Sequence, residues 1–318
     1  MQIIRGSHTW AATAPRYQSS VLAIGNFDGV HLGHQALLAQ AQVQAQSAPW
    51  GVLTFDPHPA RFFAPTLAPP AIMPLQRRLN LIGELGAHFV LVETFDAALA
   101  SLTPQAFVHD YLHRKLQVAG VVVGYDFAFG KGRKGSTADL RTLAAQVGIA
   151  VDVVAAVGVD GLVCSSTKIR EFVLEGRVEG AAMLLGRPFA LEGIVVKGAQ
   201  RGRQLGYPTA NIAAETELLP RAGIYAAWAQ VPDGAGHHAV MAAVSVGTNP
   251  TFTQAGTLSI EAYLLDFSAD LYGQRLRIDF VSRLREERRF ESIEALVAAI
   301  GHDVEQTRQK LSKPPANG

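Results

Sequence analysis

Two histidines, His31 and His34, stand in the run AIGNFDGVHLGHQALL, where an apolar strand-like stretch gives way to a helix-like one. Imidazoles at such a junction can ligate a metal, donate to phosphate, or cap and pack. A zinc site takes about three or four ligands, and this stretch holds no cysteine and no further histidine. A helix start offers unpaired N–H groups and a partial positive charge, which attract phosphate. Two imidazoles there can donate to phosphate oxygens and stabilise charge as a phosphoanhydride is attacked. Gly25, Gly29 and Gly33 would let a nucleotide lie close to the backbone.

A second cluster is CSSTKIREFVLEG, in which Ser165, Ser166 and Thr167 precede an apolar helix and Lys168 and Arg170 fall in its first turn. The bland reading is a capping run with exposed charges. Cations in a first turn oppose the helix dipole, however, which makes sense if an anion occupies that end. With the histidines, the pattern describes two helix starts holding one polyphosphate. Further along, VKGAQRGRQLGYPTANI combines Gly198, Gly202 and Gly206 with Arg201 and Arg203 in a cationic loop suited to phosphates. Thr209 and Asn211 follow it, hard oxygen donors of the kind Mg²⁺ accepts; an ordinary polar hairpin explains the spacing equally well. In LSIEAYLLDF, strand alternation puts Ile260, Ala262 and Leu264 on one face and Glu261, Tyr263 and Leu265 on the other. A carboxylate in so apolar a strand is either a paired structural group or a catalytic one.

The elements that must position these residues fall into two kinds. In the first half, VLAIGNF, GVLTF, HFVLVETF, VAGVVVGYDF and GIAVDVV read as strands, separated by helical stretches. Thr103 and Pro104 mark one helix entry, a capping residue with proline at the first helical position. Apolar strands alternating with helices predict a parallel, Rossmann-like sheet covered on both faces, and ligands bind such sheets beyond the carboxyl ends of the strands. From RPFALEGIVVKG onward, GIYAAWAQV, AVMAAVSVG, LSIEAYLLDF and QRLRIDFVSRL predict a small antiparallel barrel, closed by the helix SIEALVAAIGHDVEQTRQKL. The stretch VEGAAMLLG reads as the joint, giving domains 1–185 and 186–318. GKGRKG matches a dinucleotide-binding fingerprint, with Asp152 near the required distance beyond it, yet YDFAF separates the glycines from their strand. A mobile basic flap suits Lys131, Arg133 and Lys134 better.

Composition narrows the partners. Lys and Arg number 28 against 27 Asp and Glu, so nothing indicates a nucleic-acid surface. The single cysteine, Cys164, excludes an internal disulfide and fits a reducing compartment. The N-terminus has no apolar signal core, and no run approaches the roughly 20 apolar residues of a membrane span. A soluble cytoplasmic protein without a membrane partner is expected.

GNFDGVHLGH together with SSTKIR resembles the nucleotidyltransferase superfamily. The chain from Ser19 to Lys310, with TFDPHP, GYDFAFGKGRKG, GYPTAN, AGIY and VGTNPTF, resembles the bacterial bifunctional riboflavin kinase/FAD synthetase family. The resemblance implies an enzyme that phosphorylates riboflavin to FMN and adenylylates FMN to FAD, using ATP and Mg²⁺, as a monomer or weak homo-oligomer. It implies that His31, His34 and Arg170 act on ATP phosphates, with Gly25, Phe27, Gly33, Ser165, Ser166 and Thr167 binding the nucleotide. Asp56, Pro57, Asp126 and Phe127 would hold flavin in the first half. In the second, Gly198, Arg201, Gly202 and Gly206 would bind ATP, and Tyr207 and Pro208 flavin. Thr209 and Asn211 would hold the metal, and Glu261 would act as general base. Tyr263 departs from the family, where histidine is common. Two other readings are a nucleotidyltransferase for a different phosphorylated metabolite and a non-catalytic flavin sensor; intact Thr209, Asn211 and Glu261 argue against the sensor.

Overall fold

The computed structural model describes residues 1–198, 201–234, 236–248 and 258–312. Two compact units emerge, Met1–Pro69 with Pro74–Cys164, and Pro70–Met73 with Ser165–Gly318. In the first, β1 (Gln2–Arg5), β2 (Val21–Ile24), β3 (Trp50–Phe55), β4 (Phe89–Glu93), β5 (Gly120–Gly124) and β6 (Ala150–Val154) form one sheet in the order β1-β4-β3-β2-β5-β6. Every pairing is parallel. The inner strands are buried almost throughout, as strands covered on both faces must be. β6, at the edge, is only half-buried.

The sequence pattern anticipates five of these strands but not β1, in whose QIIR only Ile4 is buried. The helix after it, Trp10–Tyr17, is also unanticipated; it is anchored by Trp10, whose indole N–H donates to the Leu116 carbonyl at 3.0 Å. The expected helix entry at Thr103 is present, its hydroxyl accepting from the Ala106 N–H at 3.1 Å. That helix then widens into a π-helix over Phe107–Lys115, a winding that short-range periodicity does not signal. A two-residue turn at Asp160-Gly161, both at positive φ, joins β7 (Gly158–Val159) to β8 (Leu162–Val163). Their shared left-handed geometry matches the twist of a tight hairpin.

In the second unit, β9 (Phe189–Val196), β10 (Thr209–Ala214), β11 (Gly223–Pro232), β12 (His237–Thr248), β13 (Leu258–Leu264) and β14 (Arg275–Arg285) close into a barrel, ordered β10-β13-β12-β11-β14-β9. All neighbours run antiparallel. Phe189, Tyr225 and Phe280 pack ring to ring within it. The helix Ile293–Lys310 lies outside, over β11, β12 and β14, where Ala226, Trp228 and Leu311 are buried. Asp303 ties this helix down by accepting two bonds from Arg285, at 2.8 and 2.6 Å. Two details differ from expectation. TANIAA forms β10 although only Ile212 in it is buried, which leaves little apolar alternation to read. Leu265 lies beyond the end of β13 and is buried, so it does not share the face of Glu261. The helix Val178–Leu185, read as a joint, packs against β9 and β14.

Candidate active sites

The sheet reverses its direction of growth at β2, with β3 on one side and β5 on the other. Such a switch point opens a crevice at the carboxyl ends of the strands. The loops leaving β2, β3 and β5 all emerge there, bringing Gly25, Phe27, His31, His34, Asp56, Pro57, Asp126 and Phe127 to one end of the sheet.

The loop after β2 is tightly held. Its Asn26 carbonyl accepts from the Thr54 hydroxyl at 3.1 Å and from Arg78 Nη1 at 2.9 Å. Phe27 and Val30 are fully buried at positive φ, 51° and 42°, a strained geometry for side chains of this size. His31 caps the helix Leu32–Ala45, its Nδ1 accepting from the His34 N–H at 3.2 Å. That bond fixes the tautomer: with Nδ1 as acceptor, a neutral His31 carries its proton on Nε2. The two imidazoles stack, centroids 3.6 Å apart and planes 18° from parallel. Phe27 lies behind them, 5.1 Å from the His34 ring, and supports His34 from a fully buried position. A Cβ on Gly33 would stand 3.1 Å from the His31 ring, so glycine here admits the imidazole. The Gly33 N–H bonds the Cys164 sulfur, while burial pushes that thiol above its ordinary range.

Asp56, Pro57 and Asp126 are exposed and Phe127 is half-buried. Next to Asp56 and Pro57 sits an aromatic wall that sequence patterning does not single out. Phe95 meets Phe55, Phe62 and Phe63 at 5.7, 5.7 and 5.6 Å, and Phe63 is 63% exposed. The doubled phenylalanine in ARFF was the available signal. A separate cleft of about 480 Å³ is lined by Ala36, Gln40, Arg141, Asp152 and Val153–Ala155; Gln40 donates to Asp152 there at 2.7 Å. The GKGRKG loop is closed by paired backbone bonds between Phe129 and Gly135, and the Lys131 N–H binds the Leu102 carbonyl at 2.6 Å. It is a tied loop set off from the end of β5, which removes the dinucleotide reading.

In the second unit, Ser165 caps the helix Ser166–Leu174 by accepting from the Lys168 N–H at 3.2 Å. Thr167 falls in its first turn. Lys168 pairs with Glu171 at 2.8 Å and lies over the Phe172 ring. Arg170 is largely buried and donates from Nε to the Pro70 carbonyl at 2.7 Å, tying residues 70–73 to this helix.

On the barrel, antiparallel register puts Asn211 opposite Glu261 and Thr209 opposite Tyr263. The Thr209 hydroxyl donates to Glu261 Oε2 at 3.3 Å. Ile260, Ala262 and Leu264 are buried while Glu261 and Tyr263 are half-buried, the predicted alternation. A Cβ on Gly198 would collide with the Asn211 carboxamide, and one on Gly202 with the Tyr207 carbonyl. Gly206 takes φ +84° with open space around it. Tyr207 packs edge-on against Tyr263 at 5.3 Å, next to Pro208. The expected motif VGTNPTF runs largely outside the described residues, and the side chain of Arg201 is not among those described.

Comparison with known proteins decides the family. A family model for FAD synthetase matches residues 13–168, and one for riboflavin kinase matches residues 185–311. A bifunctional riboflavin kinase/FMN adenylyltransferase from Pseudomonas fluorescens is 39% identical over 100% of both chains. The chain belongs to the bifunctional riboflavin kinase/FMN adenylyltransferase family. The protein of that name from Escherichia coli K12 is 36% identical over 99% of this chain and 100% of its own. A solved structure described as a macrolide-efflux protein from Streptococcus pneumoniae shares the architecture, with TM-score 0.84 and 30% identity over 97% of this chain and 99% of that one. Among the described residues of this family member, no helix is long and apolar enough to cross a membrane.

Proposed function

We propose that the chain makes flavin cofactors in two ATP-dependent steps, phosphorylating riboflavin to FMN and adenylylating FMN to FAD, with residues 1–185 serving adenylyl transfer and 186–318 phosphorylation. What carries the reading is the tandem of family matches, over 13–168 and 185–311, each falling on a half with its own site.

In adenylyl transfer an FMN phosphate oxygen attacks the α-phosphorus of ATP and pyrophosphate leaves. No protein nucleophile is needed, so positioning and charge stabilisation carry the rate. The Nε2–H of His31, aimed by its cap bond, and the stacked His34 supply donors to the phosphates. The aromatic wall beside Asp56 and the ring of Phe127 offer stacking surfaces for isoalloxazine.

In phosphorylation the terminal ribityl hydroxyl attacks the γ-phosphorus of ATP, ADP leaves, and Glu261 takes the hydroxyl proton. The Thr209 hydroxyl bond holds one carboxylate oxygen in place. Thr209 and Asn211 present hard oxygens on the same barrel face as Glu261, a donor pair that fits Mg²⁺ and would be completed by nucleotide oxygens and water. When bound, the ion neutralises charge building on the phosphates. A cytoplasmic setting, with neither nucleic acid nor membrane as partner, is supported by the balanced charge and lone cysteine.

The test is incubation of the purified chain with riboflavin, ATP and Mg²⁺, followed by chromatographic separation of flavins. FMN should appear first and FAD after it. A folded protein that yields no FMN refutes the reading.

A further inference from the structure

Glu93 and Tyr111 form a partly buried contact that neither the motifs nor the proposed chemistry uses. Glu93 ends β4, and its carboxylate Oε2 accepts from the Tyr111 hydroxyl at 2.6 Å and from the Ser7 N–H at 2.9 Å. Its backbone carbonyl accepts from the Asp56 N–H at 3.0 Å. One residue is thus held on three sides, and through its main chain it holds the start of the Asp56-Pro57 loop. Two residues further on, Phe95 forms the centre of the aromatic wall with Phe55, Phe62 and Phe63.

Tyr111 also connects to the aromatic residues of the loop after β5, on the other side of β2 in the sheet from the Phe95 group. Its ring stacks on Phe107 at 5.6 Å, Phe107 lies 5.4 Å from Phe129, and Phe129 stacks on Phe127 at 5.6 Å. The π-helix over Phe107–Lys115 sets the register that lets one residue face both ways; such windings often occur at functional sites. Burial first, and then the Glu93 charge, push the Tyr111 phenol far above its ordinary range. It therefore stays a proton donor to Glu93 at any physiological pH.

We propose that Glu93 and Tyr111 are positioning residues that set the spacing between the two aromatic walls receiving the isoalloxazine of FMN. The proposal rests on the reading that FMN binds between Asp56 and Phe127, and deepens it. Neither residue touches the reacting phosphates, so their loss weakens FMN capture and spares the chemical step.

The experiment measures FAD formation from supplied FMN in the full chain for Tyr111→Phe, Glu93→Ala and Glu93→Gln. Riboflavin phosphorylation and thermal unfolding are followed on the same preparations. Tyr111→Phe keeps the ring stack and deletes one hydroxyl. We expect it to raise KM for FMN about tenfold, ~1.4 kcal/mol, the scale of one hydrogen bond to a charged group. Its kcat should change less than about twofold, and riboflavin phosphorylation should be unaltered. Glu93→Gln, which can still accept from both donors, should recover most of what Glu93→Ala loses. A role in stability alone predicts a lower melting temperature with KM unchanged, and that result overturns the proposal. Phe63→Ala separates the two levels of the reading. If it raises KM for FMN while Tyr111→Phe does not, the positioning role is wrong. If neither changes it, the FMN site itself is misplaced and the proposal falls with it. Should Glu93→Ala fail to fold, Tyr111→Phe alone decides.

Discussion

Replacing Glu261 by glutamine keeps the size of the side chain and removes its basicity. The amide oxygen can still accept from the Thr209 hydroxyl, now 3.3 Å from Oε2, so local geometry changes little. Loss of a general base costs ~10²–10⁴ in turnover, equivalent to about 2.7–5.5 kcal/mol in the barrier. The structural effect is far smaller. Glu261 is half-buried and glutamine keeps an acceptor oxygen, so stability should fall by about 1 kcal/mol or less. For a unit the size of the barrel and its helices, that is a shift of roughly 2–4 °C in Tm. The assay follows FMN formation from riboflavin, FAD formation from supplied FMN and thermal unfolding on a single preparation. FAD synthesis should survive, because the histidine pair belongs to the other unit. If the folded variant phosphorylates riboflavin within tenfold of the parent, Glu261 is not the base.

His31→Asn retains a good N-cap while deleting the Nε2 donor, so helix stability should hold while FAD formation falls by ~10²–10³; comparison with His31→Ala, which also loses about 1 kcal/mol of capping, checks the separation by unfolding and rate. Asp303→Ala strips Arg285 of its bidentate partner. Because Arg285 keeps about a fifth of its exposure, the cost should be about 2–3 kcal/mol, below that of a fully buried pair, and appear as earlier thermal loss of riboflavin phosphorylation. Cys164 is buried with its thiol shifted upward, which leaves less of the nucleophilic thiolate at any given pH. Alkylation of the native protein at pH 8 should be slow and should become fast on unfolding; rapid native labelling followed by mass spectrometry would contradict the packing.

The chemistry-bearing parts of the sheet site were legible because short-range constraint defines them. The histidines, the glycines between them and the helix they start lie within a single turn-and-helix unit. The aromatic wall was not legible. Phe62, Phe63 and Phe95 read as ordinary apolar residues, and they meet only because β3 and β4 are neighbours in the sheet. Glu93 and Tyr111 were hidden for a related reason: their pairing depends on a π-helical register that a 3.6-residue period misplaces. On the barrel, Glu261 stood out against its apolar strand, whereas β10 did not, since Thr209 and Asn211 replace the apolar residues that would have marked it. Two of the glycines serve packing, Gly33 making room for His31 and Gly198 for Asn211.

The pairing of β9 with β14 means that the first and last strands of the barrel are neighbours. On the ribosome, β9 therefore emerges long before the partner that completes it, with four strands made in between. Once β13 has joined the two hairpins, and until β14 arrives, the nascent sheet carries two open edges, each a template for pairing with another chain. The Glu261 and Thr209 strands, β13 and β10, are already present, but the ring that holds them closes only when β14 arrives. The same adjacency brings the ends of the barrel segment together, so a circularly permuted barrel could be opened at a different loop, changing which strand is last to arrive and how long the edges wait.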